Sequence, residues 1–146
     1  SYGIWIEKFG LASLAEAFNG INKGHVTSLN HHFMGDISGF FISHLAGIQV
    51  NPYGDTAKCV NVAPTFIPKL DNAHAFYDTV CGKVDVSWKR DGEQILLTVT
   101  KPDGICGDVI LPDGYQFCAK TGADNSWMKG RFEYKLENAT YTIIKK

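Results

Sequence analysis

The stretch Lys83-Val84-Asp85-Val86-Ser87-Trp88-Lys89-Arg90-Asp91-Gly92-Glu93-Gln94-Ile95-Leu96-Leu97-Thr98-Val99 decides the fold. Val84, Val86 and Trp88 alternate with Asp85, Ser87 and Lys89; past Asp91-Gly92, Ile95, Leu97 and Val99 alternate with Leu96 and Thr98. Successive side chains of a strand point to opposite faces, so each run carries one inward apolar face, and the Asp-Gly between them is a tight-turn signal. The pattern predicts a β-hairpin with Trp88 in the core.

Outward from this hairpin, β-rich runs fall at about 57–62, 72–80, 105–111, 114–119, 131–136 and 139–144. Pro102-Asp103-Gly104 and Pro112-Asp113-Gly114 punctuate them; proline presets the first turn dihedral and glycine supplies positive φ. Eight short strands with turns every 8 to 12 residues predict a mainly β chain, an antiparallel sandwich or barrel, beginning near residue 49. Toward the N-terminus the period changes. Ile37, Phe40, Phe41 and Leu45 share the face of a 3.6-residue helix, with Asp36 as N-cap and Gly47 as left-handed stop, predicting a helix over about 36–46. Leu11, Leu14, Ala15 and Phe18 repeat the spacing over two or three turns, and Gly20 to His32 reads as a long loop.

The 146 residues carry 14 basic and 15 acidic groups, a net charge of -1. This removes the electrostatic footprint of a nucleic-acid binder. No run approaches the roughly 20 apolar residues of a membrane span, and residues 1–20 lack the pattern of a signal peptide. Charge is unevenly spread: residues 1–50 hold two basic and three acidic groups but four of the five histidines, whereas residues 51–146 hold twelve of each sign. So little charge makes a poor solvated surface, so residues 1–50 are expected to be covered by other protein. The opening at Ser1, with methionine only at positions 34 and 128, fits processing and equally a segment of a longer chain.

Two stretches offer chemistry. Ser28-Leu29-Asn30-His31-His32, just before the helix, supplies donors, acceptors and titratable protons, though adjacent histidines serve equally well in a hydrogen-bonded junction. Ile4-Trp5-Ile6-Glu7-Lys8-Phe9 sets a carboxylate among apolar residues, where it can work on a sugar or simply be half exposed. Trp127 is a stacking platform or a plug over the end of the sandwich. Cys59, Cys81, Cys106 and Cys118 lack the paired spacing of zinc or redox motifs. They read as four buried thiols, with three disulfide pairings open in an oxidising compartment. No metal is expected, and localisation stays open between cytoplasm and periplasm or exterior.

Ser28 to Gly35 (S-L-N-H-H-F-M-G), the following helix and Leu45-Ala46-Gly47-Ile48 resemble the C-terminal signature of bacterial α-L-rhamnosidases, and Lys83 to Arg90 resembles an S-W-K/R segment of their C-terminal β-sandwich. The resemblance implies a division at residue 48, with the end of a six-hairpin α/α toroid before it and the sandwich after. It implies inverting hydrolysis of α-L-rhamnosides, with Glu7 as general base, His31, Asn30 and Trp5 as sugar-binding residues, and a general acid from the rest of the catalytic domain. Here Ile4-Trp5-Ile6-Glu7 is one residue longer than the family's I-W-E, and Ser38-Gly39-Phe40 replaces its Gly-Glu-Trp. The partners implied are a rhamnoside and the remaining catalytic domain, with no cofactor, and the chain alone is expected to be inactive. The alternative is a non-catalytic carbohydrate-binding or scaffold module built around Trp127.

Overall fold

Nine strands form two sheets in the computed structural model, which describes Glu7 and residues 36–50, 59–121 and 128–146. The strands are β1 (Ile48–Val50), β2 (Val60–Val62), β3 (Asn72–Thr79), β4 (Gly82–Asp91), β5 (Gln94–Thr100), β6 (Asp108–Ile110), β7 (Tyr115–Lys120), β8 (Glu133–Lys135) and β9 (Ala139–Lys145). The larger sheet runs β3-β4-β5-β9-β7 and the smaller β1-β2-β6-β8. All eight strands expected from alternation are present. The additional β1 is three residues long, too short for a period to show.

The decisive hairpin is β4–β5, joined by the two-residue loop Gly92-Glu93 with Asp91 opposite Gln94. Its register places Val86 opposite Val99 and Trp88 opposite Leu97 on one face. All four, with Val84 and Ile95, are at most 2% exposed. Across the sandwich they meet a core that includes Ile48, Val60, Val62 and Val109 of the smaller sheet. Burying each such side chain contributes about 1.5–3 kcal/mol, well above the fraction of a kcal/mol that separates strand propensities, so patterning outweighs propensity here.

The antiparallel expectation holds for the larger sheet and not throughout the smaller. There β2 and β6 run parallel, with Val62 opposite Val109, and an isolated parallel bridge pairs Cys59 with Cys106. Parallel neighbours need a long crossover, and this one passes through β3, β4 and β5 of the other sheet.

The chain divides into two compact units, Ser1–Phe40 and Phe41–Lys146. The helix expected at 36–46 appears as an α-helical turn, α1 (Ile37–Phe40), at the end of the first unit and a π-helix, Phe41–Ala46, at the start of the second. The apolar face assigned by a 3.6-residue period is kept only in part: Ile37 and Leu45 are half buried. A π-helix closes i→i+5 rings, which rotates later residues. Within it Ile42 packs on the core, while Phe41 at its start and Phe40 just before it are each 48% exposed. Gly47 ends the segment at φ +86°, as expected of a left-handed stop. No described helix is long and apolar enough to cross a membrane.

Tyr141 of β9 is fully buried. Its hydroxyl donates to the Lys135 carbonyl at 3.3 Å and accepts from the Glu137 N–H at 3.2 Å, an arrangement like the tyrosine corner of other sandwiches. Burial, opposed in part by the Glu137 backbone bond, pushes the phenol up to about 12. Its ordinary value near 10 holds in the unfolded chain, so the folded state retains the proton more tightly. That stabilisation is complete below pH 10 and is lost as pH rises through about 12, at up to about 1.4 kcal/mol per pH unit. Tyr141→Phe is expected to cost about 1–3 kcal/mol at pH 8 by stranding the Glu137 N–H, and to flatten the decline between about pH 10 and 12 in urea unfolding. Equal declines in both proteins would rule out Tyr141 as its source.

Candidate functional site

Of the residues that sequence assigns to a sugar-cleaving site, Glu7 lies among those described, in helical backbone with an exposed side chain. Trp5, Asn30 and His31 lie outside the described residues, as do the 11–18 helix and Trp127.

The Ser87-Trp88-Lys89-Arg90 segment of β4 has a clear geometric role. Trp88 Nε1 donates to the Leu45 carbonyl at 2.7 Å, and its ring meets Phe66 edge-on at 5.3 Å. Arg90 Nε donates to Leu70 O at 2.9 Å, and its Nη2 donates to Phe66 O and Ile67 O at 3.1 and 3.2 Å. The planar guanidinium, with its fork of donors, thereby gathers the carbonyls of the loop between β2 and β3. One strand so fastens both the π-helix and that loop to the sandwich. Alternation predicted Trp88 as core; the grip of Arg90 on a loop twenty residues upstream has no local signal.

On the outer face of the larger sheet, Asn72, His74, Ser87, Lys89, Thr98 and Thr140 line a groove of about 410 Å³. His74 Nε2 lies 3.1 Å from both carboxylate oxygens of Asp85, with the two side chains 58% and 39% exposed. An ion pair so open to water contributes little energy. A second hollow, about 510 Å³, runs along β8 between Asp108 and Lys135. Near it, Lys120 ion-pairs with Glu137 and lies 4.9 Å from the centre of the Tyr134 ring. The Glu137 contact raises the Lys120 pKa, so the lysine stays charged. Among the described residues no cluster of three or more histidine, cysteine or carboxylate groups is arranged to hold a metal.

The cysteines depart from the expectation of four buried thiols. None forms a disulfide, yet Cys106 is exposed and Cys59, Cys81 and Cys118 are half buried. Cys106 sits in a bridge just before β6 rather than inside a strand, which leaves its side chain in solvent. Cys59 and Cys106 Sγ are 2.8 Å apart, a pairing that sequence spacing missed. The two cysteines meet because each stands three residues before Val62 or Val109, which are register partners of the parallel pair; Cys81 has the same offset from Val84, so the offset alone does not single them out.

Residues 47–124 match the family described as the bacterial alpha-L-rhamnosidase C-terminal domain. An alpha-L-rhamnosidase of Alteromonas sp. (strain LOR) is 30% identical over 139 residues, which cover 89% of this chain and 14% of that protein. Among solved structures, the alpha-L-rhamnosidase from Dictyoglumus thermophilum superimposes with a TM-score of 0.70 at 18% identity, over 97% of this chain and 17% of the other. That from Streptomyces avermitilis, complexed with L-rhamnose, gives 0.68 at 20% identity, over 94% and 14%. At these identities the structural likeness speaks for the fold. The chain spans about 14% of the length of the curated relative it matches.

Proposed function

Since the chain belongs to the bacterial alpha-L-rhamnosidase C-terminal domain family, we propose that it works as the C-terminal part of a larger α-L-rhamnosidase-like glycoside hydrolase that removes terminal α-L-rhamnosyl residues. The observation that carries this reading is the match of residues 47–124, which spans the π-helix stop, the decisive hairpin and most of the sandwich. In this reading residues 1–48 are the terminal segment of the α/α-toroid catalytic domain and residues 49–146 the C-terminal sandwich. The half-exposed Phe40 and Phe41 support it, since each presents apolar surface for the rest of the catalytic domain to cover.

Inverting hydrolysis needs a carboxylic acid at the leaving oxygen and a carboxylate that activates water on the opposite face, roughly 6.5–9.5 Å away. Glu7, whose side chain is exposed, is the carboxylate of this chain proposed for the second task. His31 and Asn30 hydrogen-bond sugar hydroxyls and Trp5 stacks on the ring. The acid comes from the remaining catalytic domain, so the isolated chain is inactive. The sandwich is structural, with Trp88 and Arg90 anchoring the segments that enter it.

The test is hydrolysis of an aryl α-L-rhamnoside by the full-length parent, by its Glu7→Gln and His31→Ala variants, and by this chain alone. Removing the base is expected to lower kcat by about a hundredfold or more, and the 146-residue chain is expected to show no turnover. Unchanged kcat in Glu7→Gln would dismiss Glu7 as base, and turnover by the chain alone would overturn the division of the site.

A further inference from the structure

We propose that Cys59 and Cys106 are a redox-responsive pair whose oxidation to a disulfide staples the start of β2 to the turn before β6. Their sulfurs lie 2.8 Å apart across a parallel bridge in register. Adjacent strands are about 4.8 Å apart, inside the roughly 4.4–6.8 Å Cα separation that a disulfide spans. Closure to a bond of about 2.05 Å therefore needs a movement of well under 1 Å.

The backbone holds the two thiols in this position from both sides. Val60 N–H donates to Cys106 O at 2.8 Å and Asp108 N–H to Asn61 Oδ1 at 3.1 Å. Between them Gly107 approaches so closely that a Cβ there would lie 2.0 Å from Val60 O. Two facing thiols at a pinned crossing differ from a chance surface cysteine, because the cost of bringing them together is already met by the fold. The contact with Cys106, then burial, raises the Cys59 pKa, which keeps that proton in place and makes the exposed Cys106 the first thiol to meet an oxidant.

The oxidant class is a small-molecule disulfide. The Cys106 thiolate attacks one sulfur of the oxidant and expels a thiolate, leaving a mixed disulfide. Cys59, giving up its proton, then attacks Cys106 Sγ and expels the second thiolate. The two cysteines lose two electrons, the oxidant is reduced to two thiols, and the two protons go to the leaving sulfurs. The loop closed between positions 59 and 106 contains β3, β4 and β5, so the bond would restrict a large part of the unfolded chain.

Oxidised glutathione is the probe. After its addition to the reduced chain and removal of excess, the intact mass is expected to fall by about 2 Da. Peptide mapping should find one cross-link, between Cys59 and Cys106, with Cys81 and Cys118 still alkylatable after denaturation. Dithiothreitol should restore the mass, and the oxidised form should melt at least about 5 °C higher than the reduced form. Persistent glutathione adducts, a cross-link through Cys81 or Cys118, or no loss of mass would overturn the pairing, and an unchanged melting temperature would overturn the staple. Mapping on the unaltered chain does not depend on whether Cys59→Ser or Cys106→Ser folds.

Discussion

Trp88→Ala is expected to destabilise the chain by about 3–5 kcal/mol, read as a drop of roughly 10 °C or more in melting temperature. Trp88 is 1% exposed, the largest side chain so completely buried among the described residues. It sits on β4, which pairs along its length with β3 and with β5. Truncation empties the centre of the core, removes the edge contact with Phe66 and leaves the Leu45 carbonyl without its indole donor. A domain of ordinary stability has only about 5–15 kcal/mol in all, so much of the population would unfold on modest heating. Trp88→Phe separates the contributions: it keeps most of the ring volume, loses the hydrogen bond and should cost about 1–3 kcal/mol. Urea unfolding of both variants tests this, and a Trp88→Ala deficit under about 1 kcal/mol would mean that Trp88 does not hold the core together.

The second large effect is Gly47→Ala, expected to cost at least about 3 kcal/mol. Gly47 holds φ at +86° where the π-helix gives way to β1, and a Cβ there would lie 2.2 Å from Pro64 N, 2.4 Å from Ala63 C and 2.6 Å from Pro64 Cα. These atoms are all backbone, so no rotamer change relieves the clash. The loop they belong to is held by the Ala63 N–H bond to Gly47 O and the Thr65 N–H bond to His44 O, both 2.8 Å. Gly114 is the control: it has φ +83° and nothing within 4 Å of the added atom. Gly114→Ala should therefore cost only the left-handed penalty of about 1–2 kcal/mol. Equal unfolding midpoints for the two variants would show that close approach to the 63–64 backbone contributes nothing.

Sequence alone was sufficient for the strands and the turns between them. Alternation in 84–88 and 95–99 specified which side chains enter the core, because strand geometry sends successive residues to opposite faces whatever lies beyond. Pro102-Asp103-Gly104 and Pro112-Asp113-Gly114 turn as expected, since their dihedral preferences are local. Gly47 was legible as a stop for the same reason. The proposed site, with Glu7 as base and Asn30, His31 and Trp5 as sugar-binding residues, is tied to chemistry by resemblance to the family rather than by spacing.

Other features depend on residues far apart in sequence, and only the tertiary structure decided them. The parallel pairing of β2 with β6, and with it the Cys59–Cys106 contact, arises because the intervening chain builds three of the five strands of the other sheet before returning. The hold of Arg90 on Phe66, Ile67 and Leu70 comes from loop carbonyls that carry no side-chain signature. The rotation of the 41–46 face follows from a wider helical turn that the apolar spacing does not encode. Period and turn chemistry are properties of a few neighbouring residues, whereas register between distant strands is selected by how completely the two sheets bury their common core.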